Sequence, residues 1–157
     1  MIIFQIEEME STKTIVLTVV RHGQTEANAE RLIHGQTDTS LNDMGVKQGH
    51  AAGQALKTTR FDKAFSSDLQ RAKNTCSYIL EENENSLHDI IEDKRLRERH
   101  FGELENCSMA RAVEMTKGKT SSFFMDMNYK PNGGESLNDV RDRARSFLNV
   151  NKYFNRF

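Results

Sequence analysis

Apolar residues in this chain fall into short, dense runs separated by polar stretches that carry turn and capping residues. Over residues 14–20, Ile15, Val16, Leu17, Val19 and Val20 make an almost unbroken β-branched run, the pattern of a strand covered on both faces in a parallel sheet. A polar triplet ends it, and residues 25–32 are good helix formers behind Thr25, which can cap the first turn. Asn42 is placed to cap a helix reaching about Leu56, with Val46, Ala52, Ala55 and Leu56 as apolar positions. Gly45, Gly49 and Gly53 weaken that helix in isolation, yet their spacing puts them on one face and permits close approach to another backbone. Residues 63–66 read as a second strand, 68–80 as its following helix and 90–92 as a third strand. Met109 to Met115 suits a short helix, 117–134 a loop, and 137–147 a last helix with Leu137, Val140, Ala144, Phe147 and Leu148 on one face. Strands alternating with helices predict an α/β fold with a mainly parallel sheet.

At 157 residues the chain has room for one domain. The division expected is an N-terminal extension over 1–13, the domain over 14–150 and a tail over 151–157. Residues 1–6 are apolar but too few to span a membrane, run into Glu7, Glu8 and Glu10, and lack the basic start and cleavage site of a secretory leader. They read as a mobile arm or an extra edge strand. Lys and Arg number 22 against 23 Asp and Glu, which gives no general attraction to nucleic acid or an acidic membrane, so any anion site must be local. Cys76 and Cys107 lack metal or disulfide spacing, in keeping with a reducing, cytoplasmic setting. Oligomeric state is not legible.

Candidate chemistry begins at Arg21-His22-Gly23, at the carboxyl end of the first strand, where open α/β sheets place their ligands. Gly23 lets the backbone turn, the following helix start directs N–H groups to the same point, and Arg21 can grip a phosphate with two donors. His22 as a neutral imidazole can attack phosphorus and form a covalent phosphoenzyme. The wider stretch Arg21-His22-Gly23-Gln24-Thr25-Glu26-Ala27-Asn28 resembles the RHGxTxxN signature of the histidine phosphatase superfamily, also called phosphoglycerate mutase-like. Phe65-Ser66-Ser67-Asp68-Leu69-Gln70-Arg71-Ala72 resembles its SxLxRA segment. Leu96-Arg97-Glu98-Arg99-His100-Phe101-Gly102-Glu103-Leu104-Glu105 resembles LxERxxGxxEG, with Asn106 in place of the final Gly, and Gly133-Gly134-Glu135-Ser136 resembles GGES.

This resemblance implies a three-layer α/β/α fold, with His22 as the phosphorylated nucleophile and Glu98 as general acid. It also implies Arg21, Asn28 and Arg71 on the phosphoryl group, and His34 and Gly35 on phosphate or substrate. A general acid needs a carboxyl raised by burial or nearby negative charge, which Arg97 and Arg99 would oppose if they pointed inward. Glu103 and Glu105 are alternative carboxyls, with a structural role the better reading for both. Ser136 is readable as no more than a helix cap, His50 and His88 as surface residues, and His100 equally as surface or substrate-facing. Neither metal nor organic cofactor is needed for such chemistry, since the arginines supply the positive charge.

The motif combination looks most like the TIGAR-type fructose-2,6-bisphosphatase branch, which implies a small phosphorylated substrate and regulation of glycolysis. Phosphoglycerate mutases and broad-specificity phosphatases share the same core motifs. In the family a later strand carries a second catalytic histidine in a context such as VSHG, and no such segment occurs in this sequence. The expectation is therefore a C-terminally truncated member lacking the C-terminal strand or strands. It is either an enzyme or an inactive module that only binds phosphate or a partner.

Overall fold

A computed structural model of the chain describes residues 2–9, 12–85, 89–116 and 125–150, with side chains from 15 onward and excluding that of 150. Strands are β1 (Ile2–Met9), β2 (Thr12–Val19), β3 (Lys63–Ser66) and β4 (Ile90–Glu92). Helices are α1 (Glu26–Ala29), α2 (Asp43–Ala55), α3 (Gln70–Glu82), α4 (Met109–Met115) and α5 (Leu137–Val150), with 3-10 turns at Lys94–Leu96 and Gly102–Leu104. The predicted His88 and residues 117–124 of the predicted loop lie outside the described residues.

The strands form one sheet in the order β2-β1-β3-β4. β3 and β4 pair in parallel, and β1 is antiparallel to both β2 and β3, so β2, β3 and β4 share one direction and β1 alone runs against them. This corrects one expectation: β1 is neither a free arm nor an edge strand but the interior strand that joins β2 to the rest. Its first residues face both neighbours, Ile2 opposite Val19 and Phe65, Phe4 opposite Leu17 and Lys63.

Three layers follow from side-chain alternation along β3. Ala64 is fully buried with Phe61, Cys76, Ile79 and Leu80 beneath α2 and α3, whereas its neighbour Phe65 turns to the other face and meets Phe147 of α5 edge-on at 5.2 Å between ring centroids. The glycine face of α2 does pack as its spacing predicts. A Cβ at Gly49 would crowd Tyr78, one at Gly53 would crowd Glu82 and the Ile79 backbone, and one at Gly45 would overlap the Gln24 carbonyl.

Two further differences bear on the site. The apolar run of β2 is not covered on both faces: Val16, Leu17 and Val19 are 38%, 41% and 71% exposed, because β2 lies at the edge of the sheet of described strands. The helix predicted over 25–32 is a single turn, ended where Arg31 adopts a positive φ of 57° and the chain turns away. One turn has little dipole, so positive charge at the site must come from side chains.

Candidate active site

His22 follows β2, and its ring is fixed on both sides. Nδ1 lies 2.7 Å from the Gly23 carbonyl, which can only accept, so Nδ1 carries the proton and Nε2 keeps its lone pair. Arg71 Nε donates to that lone pair at 3.2 Å. Burial lowers the imidazole pKa below the usual 6.5; the Gly23 carbonyl pulls the other way, Arg71 and Arg21 lower it further, and Glu98 raises it. The result is a neutral imidazole with a defined nucleophilic nitrogen.

Arg71 is a large side chain left only 1% exposed. It stands at the second position of α3, and besides His22 it donates Nη1 to the Thr37 carbonyl at 2.8 Å and Nη2 to the Gly35 carbonyl at 2.7 Å. One turn along the same helix, Thr75 donates to the Arg71 carbonyl and accepts the Gly23 N–H at 3.0 Å. α3 therefore holds both the guanidinium and the turn bearing the histidine. Its own first N–H groups lack a side-chain cap from Leu69; Asp38 supplies one from afar, accepting Gln70 N at 2.8 Å.

Arg21, His22, Arg71 and Glu98 together line two adjoining hollows of about 230 and 240 Å3. The first is completed on one side by Ser67, Leu96 and Arg97, the second by Asn28, His34, Gly35, Phe101 and Met109. Asn28 closes a capping box with Thr25 by accepting its N–H and hydroxyl at 3.1 Å each, which engages its carbonyl oxygen at the start of α1. His34 is 7% exposed, its Nδ1 lies 3.3 Å from Thr39 Oγ1, and its Nε2 is buried without a partner among the described residues. Burial, with Arg71 nearby, lowers its pKa and keeps it neutral. Gly35 contributes its carbonyl to Arg71.

The two cations flanking Glu98 make their side-chain bonds to other groups. Arg97, which shares the first hollow with Glu98, makes a two-pronged pair with Asp68, whose carboxyl it holds below the usual range, and Arg99 donates to the Glu135 and Tyr129 carbonyls at 2.8 Å each. The Glu98 carboxyl accepts Arg99 N–H at 2.8 Å, and its backbone carbonyl takes bonds from Gln36 and Arg143. Arg143 of α5 is itself clamped by Glu135. Ser136 is a cap, accepting the Asp139 N–H at 3.1 Å. His50 pairs with Glu82 at 2.8 Å, and His100 Nδ1 accepts Gly102 N–H at 2.8 Å, so the nearby Glu105 contact at 3.5 Å is to an unprotonated nitrogen. No group of His, Cys, Asp and Glu suited to a metal occurs among the described residues, and no helix among them is long and apolar enough to cross a membrane.

Thr75, Asp38, Thr37 and Arg143 carry no motif signal, because they act through backbone groups distant in sequence. The cap that Asp38 gives α3 and the bond that Thr75 makes to the Gly23 turn are visible only once loop and helix are placed together.

This constellation has relatives. Fructose-2,6-bisphosphatase TIGAR of Xenopus tropicalis is 44% identical over 134 residues, covering 84% of this chain and 48% of that protein. A 2,3-bisphosphoglycerate-dependent phosphoglycerate mutase of Methylorubrum populi is 37% identical over 132 residues, covering 82% and 62%. Among solved structures, the mycobacterial glucosyl-3-phosphoglycerate phosphatase in complex with VO3 superposes with a TM-score of 0.75 at 34% identity, over 81% of this chain and 59% of that one. The chain spans about half the length of the TIGAR proteins it matches. Residues 17–152, nearly all of the chain beyond β1, match the family model of the Histidine phosphatase superfamily (branch 1), and the chain belongs to that family.

Proposed function

We propose that the chain is part of a phosphomonoesterase of fructose-2,6-bisphosphatase type, working through phospho-His22. The observation that carries this reading is His22 Nε2, unprotonated and facing a cavity lined by Arg21, Arg71 and Glu98. His22 Nε2 attacks the phosphorus of a phosphate ester as the ester P–O bond breaks. The guanidinium groups of Arg21 and Arg71, with the Asn28 amide nitrogen, meet the charge on the non-bridging oxygens. Glu98 gives its proton to the leaving oxygen, then takes one from the water that splits the P–N bond, which restores His22 and releases phosphate. His34 and Gly35 border the side where the alcohol part of the substrate rests. Glycolytic regulation is the corresponding role, by likeness to the TIGAR proteins.

The relatives include both a bisphosphatase and a mutase, so substrate identity within phosphorylated sugars and acids is the finer part of the proposal. Because the chain matches about half of its relatives, the second reading is a module that binds phosphate or a partner without turnover. Incubation of the purified chain with fructose-2,6-bisphosphate and, separately, 2,3-bisphosphoglycerate decides between them. Phosphate release with an acid-labile phosphohistidine that disappears in His22→Ala supports the enzyme. Turnover that survives His22→Ala rejects the nucleophile. Phosphate binding without release from either ester leaves the binding module.

A further inference from the structure

Arg71 reaches the cavity only because three acceptors hold it there, and two of them are main-chain carbonyls of one loop, Gly35 and Thr37. A loop with few apolar contacts does not hold two carbonyls at fixed points by itself. The Glu105 carboxylate lies behind it. Its Oε1 accepts Gln36 N at 2.8 Å and Phe101 N at 3.0 Å, and its Oε2 accepts the Thr37 hydroxyl at 2.8 Å. Asn106 adds a bond to the same hydroxyl at 3.3 Å. The carboxylate also sits against Gly35, whose φ of +54° and lack of a Cβ leave room for it. Only 12% of the side chain is exposed. Although burial alone would raise its pKa, the Gln36 N–H, the Thr37 hydroxyl and the Phe101 N–H outweigh that effect and keep it below the usual carboxylate range. Glu105 is therefore a constant anion with its oxygens occupied, and it lines neither hollow at His22.

We propose that Glu105 is a positioning residue: it ties the 35–37 loop to the turn at 101–105, and through the Gly35 and Thr37 carbonyls it aims the Arg71 guanidinium at His22 Nε2 and at the phosphoryl group bound there. The proposal rests on the reading of the cavity as a phosphate site, and it explains why a carboxylate stands so near a site for anions. Its three bonds run to the loop and to Phe101, so its oxygens are turned to structure, while its charge still acts on Arg71 and His34 at the cavity wall. A glutamine at 105 keeps one oxygen for the two N–H groups that share Oε1, whereas an alanine removes all three bonds that the carboxylate makes.

The test uses the full chain labelled with 15N-arginine. The Arg71 Nε–H resonance, identified by its loss in Arg71→Ala, is expected to be slow to exchange in the native protein. It should broaden or vanish in Glu105→Ala, survive in Glu105→Gln, and weaken in Thr37→Val, which removes one tether while leaving the carbonyl. Inorganic phosphate should bind Glu105→Ala about tenfold more weakly, as expected when a positioned donor is displaced. In an Arg71→Ala background the same substitution should change binding by less than about twofold, the scatter of independent sites. A purely structural role would instead weaken phosphate equally in both backgrounds. Persistence of the Arg71 resonance in Glu105→Ala, or equal losses in both backgrounds, overturns the proposal. If Glu105→Ala fails to fold, Thr37→Val decides: an unaltered Arg71 signal there rejects the tether. If the native chain binds no phosphate, the reading of the site fails while the Arg71 resonance still reports on the positioning.

Discussion

The two strands that bring the site together are built unlike each other. β3 and the helix it leads into are sunk in the molecule, with Ala64, Ser66, Cys76 and Ile79 all at 0% exposure. β2, which carries His22 at its end, leaves Val19 71% exposed and Leu17 41% exposed. The guanidinium of Arg71 thus projects from a close-packed unit, while His22 follows a thinly covered strand. What steadies His22 is α3, through the bonds from Gly23 to Thr75 and from Arg71 to His22. The division teaches that the packed side sets the geometry of the site and the open side is held to it by a few polar bonds. It follows that core damage on the β3 side should cost stability, and loss of polar bonds on the β2 side should cost function.

Phe147→Ala tests the packed side most severely. The ring is 1% exposed against Phe65, Ile15, Ile91 and Leu96, so its removal should destabilise the chain by about 3–5 kcal/mol in chemical unfolding. Gly45→Ala probes the seam between the two sides. A methyl group there overlaps the Gln24 carbonyl beside the His22 turn, and overpacking of this kind costs roughly 1–3 kcal/mol, read as a lower melting temperature together with weaker phosphate binding. A melting temperature equal to the native one would show that the α2 glycine face is looser than its packing implies.

The third effect is on pH. His22 is held neutral below the ordinary 6.5, first by burial and then by Arg71 and Arg21, so the acid limb of kcat/KM should fall below pH 6.5. Arg71→Ala, which removes one of those cations, should move the limb upward. Stability carries the same sign. The unfolded chain binds the His22 proton more readily than the folded one, so this contribution is complete above 6.5 and is lost as pH falls toward the depressed folded value. An acid limb at or above 6.5 would contradict the desolvated histidine. The smallest effect belongs to the open side, where Val19→Thr should change stability by less than about 0.5 kcal/mol because the side chain is mostly in water. A larger loss would mean that β2 is covered in solution.

Much of the site is local and therefore readable. The strand end and the cap at Thr25 each depend on a few neighbouring residues, and the structure brings His22, Arg21, Asn28, Arg71 and Glu98 to one cavity. The β3, β4 and α2 boundaries follow local patterns in the same way, with Asn42 capping α2 as its position suggests. The pattern failed for β1 and β2. Periodicity reports how apolar a strand is, whereas its neighbours depend on residues far away in the chain, so nothing in residues 1–20 states that β1 lies between β2 and β3. It failed too for α1, where good helix formers stop after one turn because the chain must swing toward Cys107, whose carbonyl accepts the Ile33 N–H.

By itself the sequence determined the chemical inventory: a histidine after a strand, arginines able to grip phosphate, a carboxyl nearby and an α/β order of elements. Tertiary structure alone decided which nitrogen of His22 is left unprotonated, that Arg97 and Arg99 bond to groups other than the Glu98 carboxylate through their guanidinium groups, and that the Glu105 carboxylate bonds the loop that holds Arg71. The physical reason is that residue types set what a group can donate or accept. Which partner satisfies it is settled by main-chain carbonyls and amides, which every residue carries and which leave no mark in a one-letter pattern.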